Sequence, residues 1–155
     1  EKYTGVDHFV MEDIGGGMDD IIITFLKPEQ MGFDPVVGWL ACVEGPSRGK
    51  SYTIRGGINS IGRGDRMDIT ITGDRTISME NHARISYSDR NNRFNLLPGD
   101  GRNIVYLNGE EVFSATPLQA YDLIDFGETK LLFVPLCGER FTWKQEAEQT
   151  EHERV

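Results

Sequence analysis

From residue 36 to residue 136 the chain runs as short apolar or alternating stretches, each closed by a turn residue. Residues 37–43 are apolar and Gly45-Pro46 turns the chain. Residues 51–54 follow and Gly56-Gly57 ends them; then come 58–61, 69–71, 83–87, 93–97 and 105–107. Asn108-Gly109 reads as a two-residue hairpin turn, because both positions tolerate positive φ. Residues 111–113, 122–126 before Gly127, and 130–136 complete the set. No helical period stands out. About ten or eleven short strands separated by turn residues predict an all-β sandwich over 36–143.

The flanks read differently. Residues 1–20 have little periodicity, a Gly15-Gly16-Gly17 run and scattered acids. Residues 1–35 are therefore expected to form an acidic, flexible arm or linker. Within it, residues 21–25 (Ile-Ile-Ile-Thr-Phe) favour an extra strand. Exposed, such a segment is sticky. It would pad an edge of the domain or dock on another chain, and the second outcome would give self-association through the arm. Residues 144–155 are charged, rich in Glu and Gln and without an apolar face, which predicts a solvated tail.

Charge narrows the classes of partner. The net charge of −9 is carried mostly by the tails: Lys2 and Lys27 stand against eight acids in residues 1–35. A basic nucleic-acid surface is disfavoured. No run approaches the roughly eighteen apolar residues of a membrane span, and no secretion leader is expected ahead of the first strand. Glu1 in place of Met is what a piece of a longer protein would show. Cys42 and Cys137 are too few for a disulfide framework and too isolated for a zinc site. Buried, reduced thiols and a cytoplasmic location are expected. No metal or cofactor is expected either.

The candidate chemistry lies in residues 61–82. Strand-like runs bracket two loops there, one carrying Arg63 and the other Ser78. An arginine and a hydroxyl at adjacent loop tips suit an anion, phosphate above all. Taken singly, Arg63 also reads as a surface salt-bridge residue, and Ser78 as a cap on the turn after Asp74-Arg75-Thr76.

In order along the chain stand Gly62-Arg63, then Ser78-Met79-Glu80-Asn81-His82, then Asn103 and Asn108-Gly109. Together, within an all-β pattern, these motifs resemble the forkhead-associated (FHA) domain family. The resemblance implies an eleven-strand sandwich that binds phosphothreonine peptides through loops at one end, without catalysis. By position it implies that Gly62 permits the turn presenting Arg63, that Arg63 contacts the phosphate and that Ser78 donates to a phosphate oxygen. His82 would tie the Ser78 loop to its neighbour. Asn103 would hydrogen-bond the peptide backbone, and Asn108-Gly109 would support that loop.

The chain departs from the family pattern in several places. Ser78 and His82 are one residue further apart than the commonest spacing. Met79 sits where a polar residue is frequent, Arg102 where Ser or Thr is frequent, and Ile104 replaces the usual Gly. Arg102 and Arg75 are expected to add positive charge, and Met79 to line the peptide site.

The functional expectation is a phosphothreonine-dependent binding module, not an enzyme, working with a phosphothreonine-containing protein or peptide in a Ser/Thr kinase pathway. The alternative is a structural β-sandwich with a silent pocket that mediates assembly. A hydrolase built on Ser78, His82 and Asp74 would lack any Gly-x-Ser-x-Gly elbow.

Overall fold

The computed structural model of the chain describes residues 9–13, 21–25, 34–100 and 103–143. Arg102, expected beside the phosphate, and the tail from residue 144 lie outside the described residues. No helix occurs among the described residues, so none is long and apolar enough to cross a membrane.

Strand β1 (Phe9–Asp13) pairs antiparallel with β2 (Ile21–Phe25), Phe9 opposite Phe25 and Asp13 opposite Ile21. The strand expected at 21–25 thus pairs with a second segment of the same chain. That second segment was read as part of a structureless stretch, because its three apolar residues run straight into two acids.

The sandwich follows from residue 36. Its strands are β3 (Val36–Glu44), β4 (Ser51–Arg55), β5 (Gly57–Gly62), β6 (Ile69–Thr70), β7 (Ala83–Ser88) and β8 (Arg93–Pro98). After these come β9 (Tyr106–Leu107), β10 (Glu110–Glu111), β11 (Thr116–Pro117), β12 (Leu123–Phe126) and β13 (Thr129–Pro135). Six strands form one sheet in the order β10-β9-β12-β13-β3-β4, and five form the other in the order β11-β8-β7-β5-β6. The predicted fold class is the one observed. β11 went unread in the sequence because it has two residues, one of them Pro117. Proline is tolerated there because β11 is an edge strand, pairing only with β8.

Alternation drives the packing. In β7, Ala83, Ile85 and Tyr87 point inward while Arg84, Ser86 and Ser88 are half-exposed. β13 repeats the pattern with Thr129, Leu131 and Phe133. A side-chain period of two turns one face of each sheet toward the other. Leu40, Ile54, Ile124 and Phe133 of the larger sheet and Ile61, Ile85 and Leu96 of the smaller are fully buried. Phe94 meets Phe133 edge-on at 4.8 Å, bridging the two sheets. Cys42 and Cys137 are both buried and free. Cys137 follows β13 and bonds to Val37, five residues from Cys42 along β3. At about 3.3 Å per residue that separates the two thiols by roughly 16 Å.

Candidate functional site

β5 and β6 pair in parallel, Ile61 opposite Ile69, although only residues 63–68 connect them. Parallel neighbours ordinarily need a much longer crossover. Here the pairing is two residues long and the loop is stapled. Asp68 Oδ2 accepts the Ser60 backbone N–H and hydroxyl, both at 2.9 Å, and the Ser60 hydroxyl accepts the Asp68 N–H at 3.0 Å. The Thr70 hydroxyl donates to the Gly64 carbonyl at 3.0 Å. Arg63 therefore sits at the start of a short, internally bonded loop.

That loop lies against residues 77–79. The Arg63 N–H donates to the Ser78 carbonyl at 2.9 Å, and the Gly64 N–H to the Met79 carbonyl at 2.8 Å. A Cβ on Gly62 would stand 2.8 Å from the Met79 carbonyl oxygen and one on Gly64 2.7 Å from it. Both glycines are there for this close approach. Gly62 was legible from the motif; Gly64 was not, and nothing in its spacing would have flagged it.

The Arg63 side chain follows its backbone across the same loop. Its Nε donates to the Ile77 carbonyl at 2.8 Å and its Nη1 contacts Met79 Sδ at 2.9 Å. Ile77 is buried and pins the loop to the core. The guanidinium is thereby oriented while Arg63 remains exposed. Among the described residues, Nη2 takes no partner, and neither does the Ser78 hydroxyl. The salt bridge that Arg63 could have made is absent among them.

His82 joins this loop to the next one. Its Nδ1 accepts the Ser78 backbone N–H at 3.0 Å, which leaves Nε2 to carry the proton toward the Ile104 carbonyl at 3.2 Å. Its ring packs on Phe126 at 4.6 Å. Burial holds the imidazole below its ordinary pKa, against the Ile104 bond and the charge of Asp74, which pull it up. The ring is a neutral link. Between Ser78 and His82, Asn81 has a φ of 48°, which curls the chain back. The Asn81 carbonyl accepts the Asp100 N–H at 3.1 Å. A Cβ on Gly99 would overlap the carbonyl oxygens of Asn81 and His82.

The other end of the loop is fixed by Asp74, which is 1% exposed. Its Oδ1 accepts the Thr76 N–H at 2.9 Å and the Thr76 hydroxyl. Its Oδ2 accepts the Glu128 N–H at 2.9 Å and the Thr129 hydroxyl at 2.7 Å. Burial alone would raise this carboxyl, but the hydrogen bonds from Thr76, Thr129 and Glu128 outweigh it and hold the pKa below its ordinary value. The Asp-x-Thr spacing is a turn signature, and it hints at the Thr76 half of this network. With Asp74 and His82 both bonded elsewhere, no Ser-His-Asp relay is assembled.

Asn103 and Ile104 are exposed, and Asn103 directly precedes the residue whose carbonyl His82 holds. Asn108 (φ 51°) and Gly109 (φ 88°) form the left-handed β9–β10 turn. Asn108 also clips that turn to β12: its amide oxygen accepts the Leu123 N–H at 2.9 Å and its amide nitrogen donates to Asp122 at 3.0 Å. A cavity of about 340 Å³ lined by Asp34, Val37, Tyr87 and Trp143 includes none of these site residues.

Fold and loops together define an all-β sandwich that presents an oriented arginine and an open hydroxyl at one end. Residues 59–127 match the FHA domain family model, and the sandwich shares its fold with FHA domains. The solution structure of the FHA domain of an Arabidopsis thaliana hypothetical protein is 24% identical, covers 69% of this chain and 92% of its own, and superposes with a TM-score of 0.58. The yeast Dun1 FHA domain, solved with a doubly phosphorylated peptide derived from Rad53, is 20% identical over 70% of this chain and 81% of its own (TM-score 0.56). An FHA domain studied for phosphothreonine-dependent interactions is 22% identical over 63% of this chain and 95% of its own (TM-score 0.55). These likenesses show the shared fold. No curated protein matches. A second family model, the DAPG hydrolase PhiG domain, matches residues 1–38; it ends inside β3 and includes none of the site residues.

Proposed function

We propose that the chain is a phosphothreonine-dependent peptide-binding module acting in Ser/Thr kinase signalling, as FHA domains are binding modules rather than catalysts. The observation that carries this reading is the seating of Arg63. Its guanidinium is oriented by the Ile77 carbonyl, and its backbone N–H is bonded to the carbonyl of Ser78, whose hydroxyl takes no partner among the described residues. Phosphothreonine carries about −1.5 to −2 charges at neutral pH. A guanidinium matches its oxygens in pairs, and the soft contact to Met79 sulfur yields readily to a phosphate oxygen. Asn103 offers an amide donor and acceptor to the ligand backbone. We place the module in the cytoplasm, a reading supported by two free, widely separated thiols.

The test is a titration against phosphothreonine peptides, with phosphoserine and unphosphorylated copies as controls. Each hydrogen bond to a charged group contributes roughly 1.5–3 kcal/mol. Losing two in Arg63→Ala should weaken phosphopeptide binding by about a hundredfold or more while the unfolding curve stays unchanged. Affinity retained in Arg63→Ala, or equal binding of the unphosphorylated copies, would overturn the reading.

A further inference from the structure

The two sheets present different outward faces. On the smaller sheet that face mixes Ser60, Arg84, Ser86 and Asn95 with Ile58 and Leu97. On the larger sheet the outward positions of β12, β13 and β3 are apolar in two adjacent rows. One row runs Leu123, Leu132, Ala41, and the other joins Val134 to Trp39. These five residues alternate with the buried Ile124, Leu131, Phe133, Leu40 and Cys42, so they point away from the core. All five are half-exposed. The rows end at Ser51 and Thr53 of β4, and the Lys130–Glu44 ion pair at 3.6 Å lies beside them. An antiparallel sheet with one wet face ordinarily keeps that face polar. An apolar patch with a polar rim marks a surface that is covered in use.

The β1–β2 ribbon has the matching character. Its register sets Phe9 opposite Phe25 and Met11 opposite Ile23. A side-chain period of two assigns these pairs, with Asp13 and Ile21 at their end, to one face of the ribbon. Val10–Thr24 and Glu12–Ile22 fall on the other. A two-stranded ribbon by itself is marginal in water and gains stability by packing on another layer. The dimensions agree: two strands side by side, and the three strands β12, β13 and β3, each span roughly 5–10 Å. Eleven residue steps lead from Phe25 to Val36, enough to reach at most about 40 Å. Trp39 lies only three residues beyond Val36, about 10 Å along β3.

We infer that the β1–β2 ribbon docks on the outward face of the larger sheet of its own chain, as a third layer. The face bearing Phe9, Met11, Ile23 and Phe25 lies against Trp39, Leu132 and Val134. The tether favours the chain's own ribbon over that of another molecule, because a short connection sets a millimolar effective concentration. A net charge of −9 also opposes the approach of a second copy. The smaller sheet, with its mixed and mostly polar face, offers no comparable seat. Docking covers two apolar surfaces at once: a ribbon prone to aggregate when bare, and a sheet face that would otherwise be wet. The inference is independent of the phosphothreonine reading, since neither surface includes Arg63, Ser78 or Asn103.

The experiment measures amide hydrogen exchange and acrylamide quenching on the full chain, wild type against two variants. Met11→Ser with Ile23→Ser changes the ribbon and leaves the sandwich untouched. Leu132→Ser with Val134→Ser changes the sheet face at half-exposed positions, and thermal unfolding checks that the fold is intact. Amides of residues 9–13 and 21–25 should exchange about tenfold or more slowly in the wild type than in either variant. Trp39 reports from the other side of the contact. Its emission should be quenched more readily in the ribbon variant, against a Trp143 that is the same in both chains. Ribbon exchange that is equal in wild type and variants, or unchanged quenching, would overturn the docking. Should the sheet-face variant fail to fold, exchange and quenching in the ribbon variant decide by the same criteria. Protection lost on dilution, with a dimer that the ribbon variant converts to monomer, would assign the face to a second copy's ribbon and also overturn it.

Discussion

Asp74 and His82 fix the two ends of one loop, and they do so in opposite charge states. Asp74 accepts four hydrogen bonds and ties the loop to Glu128 and Thr129 of the other sheet. Four donors around two oxygens keep a buried carboxylate ionised. His82 makes two hydrogen bonds, one to Ser78 and one to Ile104, and stays neutral. The first is a structural knot between sheets. The second joins the Ser78 loop to the segment that carries Asn103 and Ile104. Two buried ionisable groups on one loop thus divide the work: one secures the fold and the other aligns the site.

Removing the knot should do the most damage. Asp74→Ala strands the Thr76, Glu128 and Thr129 donors, at about 1–3 kcal/mol for each buried group left unpaired. Urea unfolding should show a loss of roughly 3–5 kcal/mol; a loss below about 1 kcal/mol would mean that the network does not hold the loop. His82→Ala should cost less stability, about 2 kcal/mol, but it should weaken phosphopeptide binding more than tenfold. If the two variants affect binding in the reverse order, the division of labour is wrong.

Acid separates the two anchors further. Both groups have a folded pKa below their unfolded values, so in each case the unfolded chain binds the proton more readily. The stability due to His82 is present above about pH 6.5 and is lost as pH falls from there toward its lower folded pKa. The stability due to Asp74 persists until about pH 4 and is lost below it. Unfolding measured between pH 8 and pH 3 should show both declines, and His82→Ala should erase only the upper one. The smallest effect is expected at Asn81. Asn81→Gly keeps the left-handed backbone and should change stability by about 0.5 kcal/mol or less, whereas Asn81→Ala should cost about 1–2 kcal/mol.

Much of this was legible in the chain because it is written locally. Alternation within five or six residues gives β7, β8 and β13, and Asn108-Gly109 gives its own turn. Arg63, Ser78, His82 and Asn103 stand out because motif spacing survives in one dimension. What stayed hidden depends on partners distant in sequence. Asp74 meets Glu128 and Thr129 only after the sheets pack. Gly99 is needed because the Asn81 and His82 carbonyls crowd it, a contact that no local pattern encodes. Phe113 could not be read as an outward residue, since two-residue strands carry too little alternation to assign a face. β1 was missed for a related reason, its apolar run being too short to signal a strand without its partner.

Asn81 is also a joint. Its left-handed backbone turns its carbonyl to the Asp100 N–H, while the adjacent His82 reaches the Ile104 carbonyl. The Ser78 loop, the end of the turn after β8 and the approach to β9 are thereby ganged together, and a displacement of one is passed to the other two.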